Sequence, residues 1–175
     1  MGIRDAKKLV ATIHLDTLRV DFDPHFKFKC LENCAKCCFE LDIPLRDEDI
    51  IKIEDLGYNA WEFVDYSKMF YKRDKFVGYA LKKRPFDGGC PFLMDDGRCK
   101  IYAHRPLACK LYPFLLVKHG NVIDVYVRDT DCPGIDHPEG SHVDYVFVLE
   151  YFKDVVDEYR KKLGYFDIHS SGQRT

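Results

Sequence analysis

Residues 30–38 read Cys-Leu-Glu-Asn-Cys-Ala-Lys-Cys-Cys, so four thiols fall within nine consecutive positions. The other four cysteines follow at wider intervals further along the chain. Thiolates are strong, soft ligands for zinc and for iron–sulfur clusters. The pattern therefore predicts a fold that brings the second set of cysteines onto the first, around a metal ion or an iron–sulfur cluster. The candidate metal ligands are Cys30, Cys34, Cys37, Cys38, Cys90, Cys99, Cys109 and Cys132.

The spacing within residues 30–38 resembles two kinds of metal-binding loop, each only in part. Three residues separate Cys30 from Cys34 and two separate Cys34 from Cys37, which is the spacing of the radical-SAM motif that binds a 4Fe–4S cluster. Lys36 stands where that motif usually has an aromatic residue, and the chain is short for the partial barrel of such enzymes. A zinc finger with two CxxC knuckles matches poorly as well, because the first cluster supplies a single CxxC pair. A 4Fe–4S cluster is favoured here, and a non-standard zinc site is the main alternative.

The adjacent pair Cys37 and Cys38 bears on the number of metal centres. In extended chain, neighbouring side chains point to opposite faces, so these two thiols are not expected to reach one centre together. The pattern favours either two centres or one centre with Cys38 serving elsewhere. It does not select the subset of cysteines that binds.

Length and composition favour one compact domain over residues 1–175. Hydrophobic residues make up 46% of the chain and aromatic residues 14%, which is enough apolar surface for a single core. The formal net charge of -2 argues against a general electrostatic attraction to nucleic acid or to acidic membranes. We expect neither nucleic acid nor a membrane as a partner.

The sequence shows no apolar stretch of the ~20 residues that a membrane-spanning helix needs, and no apolar core of a signal peptide. We therefore expect a cytoplasmic protein. A disulfide framework is disfavoured in the cytoplasm, where clustered cysteines more often bind metal or take part in redox chemistry.

Hydrophobic periodicity and turn signals predict short strands and short helices, which is the α+β class. Alternating apolar residues predict strands over 39–45 and 76–81. A short helix is predicted to begin at Asp47 and to end before Gly57. A second short helix is predicted after Asn59, where Asn and Glu at the right spacing form a capping box.

Two further local signals concern the later cysteines and the end of the chain. Residues 96–97 are Asp-Gly between two apolar runs, which predicts a hairpin that brings Cys90 near Cys99. A closing C-terminal helix is predicted over 141–163, with Ser141 as its cap and a continuous apolar stripe.

Four ordered motifs make the chain similar to a known family. They are Cys-x-x-x-Cys-x-x-Cys-Cys at 30–38, Cys-Pro-Phe-Leu at 90–93, Gly-x-Cys-x-Ile-Tyr at 97–102 and Arg-Pro-x-x-Cys-Lys-x-Tyr-Pro-Phe at 105–114. This set resembles the YkgJ-type cysteine-cluster family, described as zinc- or iron-chelating. The resemblance implies a metal-binding core over residues 28–133. It also implies a relation to the flagellin lysine N-methylases, for which an iron–sulfur cluster is expected.

Arg105 lies inside the last of these motifs. A centre with four thiolates carries net negative charge, which cationic neighbours and N–H donors stabilise. Two roles are open for this arginine, a buried structural pair or a contact to the metal site.

The sequence supports three hypotheses about function. The first is a metal-binding protein that holds a 4Fe–4S cluster with a structural or redox role. The second is an interaction module whose fold is held by zinc. The third is a methyltransferase-like enzyme that modifies proteins, which the family resemblance suggests and which the absence of a glycine-rich cofactor loop in the sequence disfavours. No substrate or partner is identified by the sequence.

Overall fold

The computed structural model describes residues 6–165, and their short strands and helices confirm the α+β class. The strands are β1 (Ala6–His14), β2 (Val20–Phe22), β3 (Pro44–Leu45), β4 (Val64–Lys72), β5 (Lys75–Leu81), β6 (Phe114–His119) and β7 (Val122–Arg128). The helices are α1 (Lys36–Glu40), α2 (Asp47–Glu54), α3 (Ala60–Phe63), α4 (Leu107–Leu111), α5 (Tyr145–Tyr151) and α6 (Lys153–Lys162). No helix within residues 6–165 is long and apolar enough to cross a membrane.

Contacts between residues divide the described chain into two compact units. Residues 30–112 form one, which we call the cysteine unit. Residues 6–29 and 113–165 form the other, which we call the terminal unit. The prediction of one domain over 1–175 stays a prediction, and the two ends of that range lie outside the described residues.

The terminal unit is built on an antiparallel sheet with the strand order β2-β1-β7-β6. Strand β7 alternates buried Ile123, Val125 and Val127 with half-buried residues, as a sheet with one covered face requires. Its core contains several phenylalanines in edge-to-face contact, which is a favoured geometry for aromatic rings. Those rings belong to Phe26, Phe28, Phe114, Phe147 and Phe152.

The predicted single helix over 141–163 is wrong, because the structure has two helices there, α5 and α6, joined at Phe152. Positions 147 and 152 of an unbroken helix would point about 140° apart. The break lets both phenylalanines pack on Phe114, with ring centroids 5.7 Å and 5.3 Å from it. Core packing therefore overrides the helical periodicity of the sequence.

The cap predicted for that helix is wrong as well. The backbone N–H and C=O of Ser141 pair with Phe28, both at 2.9 Å. Asp144 caps α5 instead, because its carboxylate accepts a hydrogen bond from the Phe147 N–H at 3.0 Å.

The cysteine unit contains a three-stranded antiparallel sheet, with the order β3-β5-β4, and all of the short helices α1 to α4. Helix α2 begins at Asp47 as predicted, although Arg46 rather than Asp47 occupies the cap position. The capping box at α3 is confirmed, since Glu62 accepts the Asn59 N–H at 2.7 Å. The buried core of this unit consists of Ile43, Leu45, Ile53, Phe63, Val64, Leu81, Phe92 and Ile101.

Candidate metal centre

The first cysteine cluster lies in a tight loop that runs into α1. Asn33 and Ala35, on either side of Cys34, have left-handed backbone with φ of 65° and 54°. Such a conformation costs a residue with a Cβ roughly 1–2 kcal/mol, so the loop around Cys34 is held in its shape by its surroundings. Backbone strain of this kind concentrates at functional sites.

Helix α1 changes the expected relation between Cys37 and Cys38. The sequence interpretation assumed extended chain here, with the two thiols on opposite faces. The residues are helical instead, and their side chains hydrogen-bond to each other. That hydrogen bond, followed by burial, raises the pKa of the Cys37 thiol far above its usual range. Adjacent thiols can therefore share one site.

The predicted hairpin at residues 96–97 is confirmed in its essentials. The Met94 N–H donates to the Arg98 carbonyl at 2.8 Å, and Leu93 pairs with Cys99 as an isolated bridge. Gly97 has φ of 82°, and a Cβ on it would lie 2.8 Å from the Asn33 carbonyl oxygen. The turn that carries Cys99 therefore packs directly on the backbone of the first cysteine cluster, and glycine allows that approach.

Cys90 is fixed by a loop that folds back on itself. The Arg84 guanidinium donates two hydrogen bonds to Asp87, at 2.9 Å and 2.6 Å, and a third to the Leu93 carbonyl at 3.1 Å. The N–H of Cys90 then donates to the Cys38 carbonyl at 3.0 Å. This hydrogen bond joins the CPFL motif to the end of the first cysteine cluster.

Cys109 lies on α4, whose start is held by a residue of α2. The Asp49 carboxylate is buried, with 2% of the side chain exposed, and accepts from the Leu107 N–H at 3.1 Å. It also accepts from the backbone N–H of Arg46 at 3.0 Å and pairs with the Arg46 guanidinium at 3.2 Å. One carboxylate thus satisfies free N–H groups at the starts of two helices.

The thiols of the later cysteines lie against the apolar core of the cysteine unit. Cys90, Cys99 and Cys109 all pack on its buried side chains. Burial raises the pKa of the Cys90 thiol to about 11 and also raises the pKa of the Cys99 thiol. These three cysteines are inward-facing groups rather than exposed thiols.

Electrostatic interactions connect several of these cysteines. Burial is the main cause of the raised pKa of Cys109, and the charges of Cys90, Cys37 and Cys99 add to it. Burial also raises the pKa of Cys30, to which the charge of Cys37 contributes. Cysteines from four separated parts of the sequence therefore influence one another electrostatically within the cysteine unit.

Arg105 provides positive charge within this group of thiols. Its guanidinium counteracts the raised pKa values of Cys30, Cys37, Cys99 and Cys109. The Arg105 side chain also hydrogen-bonds the Cys30 thiol and stacks over the Tyr102 ring, 4.0 Å from its centroid. The sequence left open either a buried structural pair or a contact to the metal site for Arg105. These contacts favour the second role.

Two predicted ligands stand apart from this description. Cys34 is exposed, as is Cys30, although both lie in the same loop as Cys37 and Cys38. Cys132 belongs to the terminal unit, where its carbonyl accepts from the Ile135 N–H at 3.2 Å. The assignment of all eight cysteines as ligands stays a prediction. Among residues 6–165, no three His, Cys, Asp or Glu side chains are grouped as a ready-made metal site.

Asp49 and Arg84 are site-positioning residues that the sequence did not reveal as such. Asp49 stands in an Asp-Glu-Asp run, which indicates a helix start and nothing about Leu107. Arg84 follows two lysines, and such a basic run is typical of an exposed surface. In both cases the decisive partner is a backbone group, which no sequence pattern marks.

Comparison with known proteins finds a family match over the part of the chain that contains the cysteine unit. The profile of the CxxCxxCC family, described as "Putative zinc- or iron-chelating domain", matches residues 29–133. The chain is also similar to "Uncharacterized protein MJ0661" of Methanocaldococcus jannaschii, with 32% identity over 139 residues. That alignment covers 72% of this chain and 74% of the relative. No solved structure gives a significant match.

Proposed function

This chain belongs to the CxxCxxCC family of zinc- or iron-chelating domains, and from that premise we propose that its cysteine unit holds a 4Fe–4S cluster with a structural or redox role. The ligands of this cluster come from the seven cysteines of that unit, which are Cys30, Cys34, Cys37, Cys38, Cys90, Cys99 and Cys109. A zinc site with a structural role is the alternative that the same thiols suit.

One observation carries the proposal, namely that Cys109 of α4 packs with Cys90 and Cys99 on one buried core, while the Cys90 N–H donates to the Cys38 carbonyl at 3.0 Å. In agreement with this packing, burial and then the charges of Cys90, Cys37 and Cys99 raise the pKa of Cys109. Free buried cysteines behave as small hydrophobic residues and have no need to gather. Gathered thiols without a cation disfavour each other's charged form, and a bound metal centre removes that penalty.

The chemistry of the donors favours an iron–sulfur cluster over zinc. A structural zinc ion takes four ligands, whereas pairwise interactions connect six thiols of the cysteine unit, and the charge of Arg105 acts on four of them. The Cys30, Cys34 and Cys37 spacing is also the one that ligates three irons of a cluster in the radical-SAM motif. A buried cation and hydrogen-bond donors near the sulfurs are typical means of tuning such clusters.

The experiment that tests the proposal is elemental analysis of protein purified without oxygen, together with its visible spectrum. We expect iron and acid-labile sulfide in comparable amounts, with an absorbance near ~400 nm from cluster ligation. Zinc without iron would select the alternative. Protein free of both metals after anaerobic purification, and unable to take up either, would contradict the proposal.

A variant pair assigns the site to these cysteines. Cys109→Ser should lose metal and thermal stability together, because metal binding is coupled to folding. Ala108→Ser places the same hydroxyl at the neighbouring position of α4 and should retain the metal. Equal metal content in the two variants would remove Cys109 from the ligand set.

A further inference from the structure

We propose that Arg105 is the resident counter-cation of the cysteine cluster, which offsets the negative charge that the thiolates acquire when they bind metal. The inference rests on the proposed function, and it gives Arg105 a role at the site although Arg105 is not itself a metal ligand. It predicts that metal affinity depends on the charge at position 105.

The surroundings of Arg105 carry this inference. Its Nε is buried and has no hydrogen-bond partner among residues 6–165. A buried donor without an acceptor costs about 1–3 kcal/mol, so such an atom in a half-buried side chain requires an explanation. An anionic metal–thiolate centre beside it provides the acceptor and the opposite charge.

Contacts with two neighbouring side chains hold the Arg105 guanidinium in place. It stacks on Tyr102 at 4.0 Å, a cation–π contact that orients the planar group. The Arg105 and Tyr102 side chains both hydrogen-bond the Cys30 thiol. Arginine is suited to this role because its guanidinium stays charged when buried and offers several donors in one plane.

Other arginines near the cysteines have carboxylate partners. Arg84 pairs with Asp87 at 2.6 Å, and Arg98, next to Cys99 in sequence, pairs with Asp96 at 2.7 Å. The charge of Arg105 acts on four cysteines, whereas that of Arg84 acts on Cys90. Removing the charge at position 105 should therefore affect more of these cysteines than removing the charge at position 84.

The test titrates Zn²⁺ into metal-free full-length protein in competition with a chromophoric chelator, for the wild type and three variants. Arg105→Gln should weaken binding by about ten- to a hundredfold, the usual loss when a group that supports metal ligands is removed. Arg105→Lys keeps the charge and should recover most of that loss. Arg98→Gln removes an exposed, paired arginine beside Cys99 and should bind like the wild type.

A second measurement separates a charge effect from a merely structural one. Arg105→Gln should change the melting temperature of the metal-free state little, because loss of the contact with Tyr102 is offset by removal of a buried unsatisfied donor. It should melt lower in the metal-loaded state. Equal destabilisation in both states, or equal losses of affinity in the Gln and Lys variants, would overturn the inference.

The outcomes also separate this inference from the proposed function. Unchanged affinity in Arg105→Gln, with metal bound normally by the wild type, overturns the inference alone. A wild-type protein that binds neither zinc nor iron overturns the proposed function and the inference with it.

Discussion

The buried carboxylate of Asp49 connects two helices of the cysteine unit. Its carboxylate has 2% exposure and accepts hydrogen bonds from Arg46 and from the Leu107 N–H. A buried carboxylate is tolerated only when it is paired and hydrogen-bonded in this way. The same contacts set the start of α4 and, with it, the position of Cys109.

Substitution Asp49→Ala should therefore affect both stability and metal binding. It removes the acceptor of the Leu107 N–H and one partner of the Arg46 guanidinium, which should cost about 2–3 kcal/mol of unfolding free energy. Urea unfolding and metal content measure the two effects. Asp47→Ala removes an exposed carboxylate from the same turn of α2 and is the control. Similar stabilities of the two variants would contradict the role of Asp49.

At the scale of elements, the end of the terminal unit shows tertiary contacts overriding a local pattern. Residues 141–163 have the apolar stripe of one amphipathic helix, yet the chain divides into α5 and α6 at Phe152. Phe152 is buried in the aromatic core. The free energy gained by burying its ring outweighs the helical hydrogen bonds lost at the break. Helix α5 begins after its cap, Asp144, while Ser141 pairs with Phe28 through its backbone.

Asp144→Ala tests the position of that start. Loss of its side-chain hydrogen bond to the Phe147 N–H should cost about 1 kcal/mol, measured as a lower urea midpoint with an unchanged slope. Ser141→Ala is the matched variant, because the sequence pattern predicts Ser141 as the cap. It should have a smaller effect, since Ser141 joins Phe28 through its backbone. A larger loss for Ser141→Ala would favour the helix start that the sequence predicted.

At the scale of the whole molecule, the two units differ in what holds them together. The terminal unit has a four-stranded sheet and a cluster of aromatic rings. The cysteine unit has a three-stranded sheet, one strand of which is only two residues long, and short helices of four to eight residues. Isolated helices of that length are marginal in water, so this unit should depend most on bound metal.

Removal of the metal with a chelator should therefore act unevenly along the chain. In hydrogen exchange followed by mass spectrometry, amides of residues 30–112 should lose most of their protection, because metal binding is coupled to folding. Amides of residues 114–128, in the β6–β7 hairpin, should change far less. Equal loss of protection in both segments, or none in either, would contradict a metal-dependent cysteine unit. The Cys109→Ser variant should resemble the chelated wild type.

The amino-acid sequence alone indicated the metal-binding family to which this protein belongs. Seven of the eight cysteines lie in four ordered motifs that identify the family, and the α+β class, the α3 capping box and the turn at 96–97 follow from local patterns. These features depend on residues close together in the chain, where periodicity and turn preferences act directly. They required no knowledge of long-range contacts.

Only the tertiary structure decided which groups surround the thiols. The Cys37–Cys38 hydrogen bond depends on a short helix without a strong propensity pattern, and the Asp49 contact joins positions 58 residues apart. The helix break at Phe152 and the buried Nε of Arg105 likewise arise from packing between distant segments. Sequence spacing encodes local geometry, whereas burial and the hydrogen-bond partners of backbone groups exist only once the chain has folded.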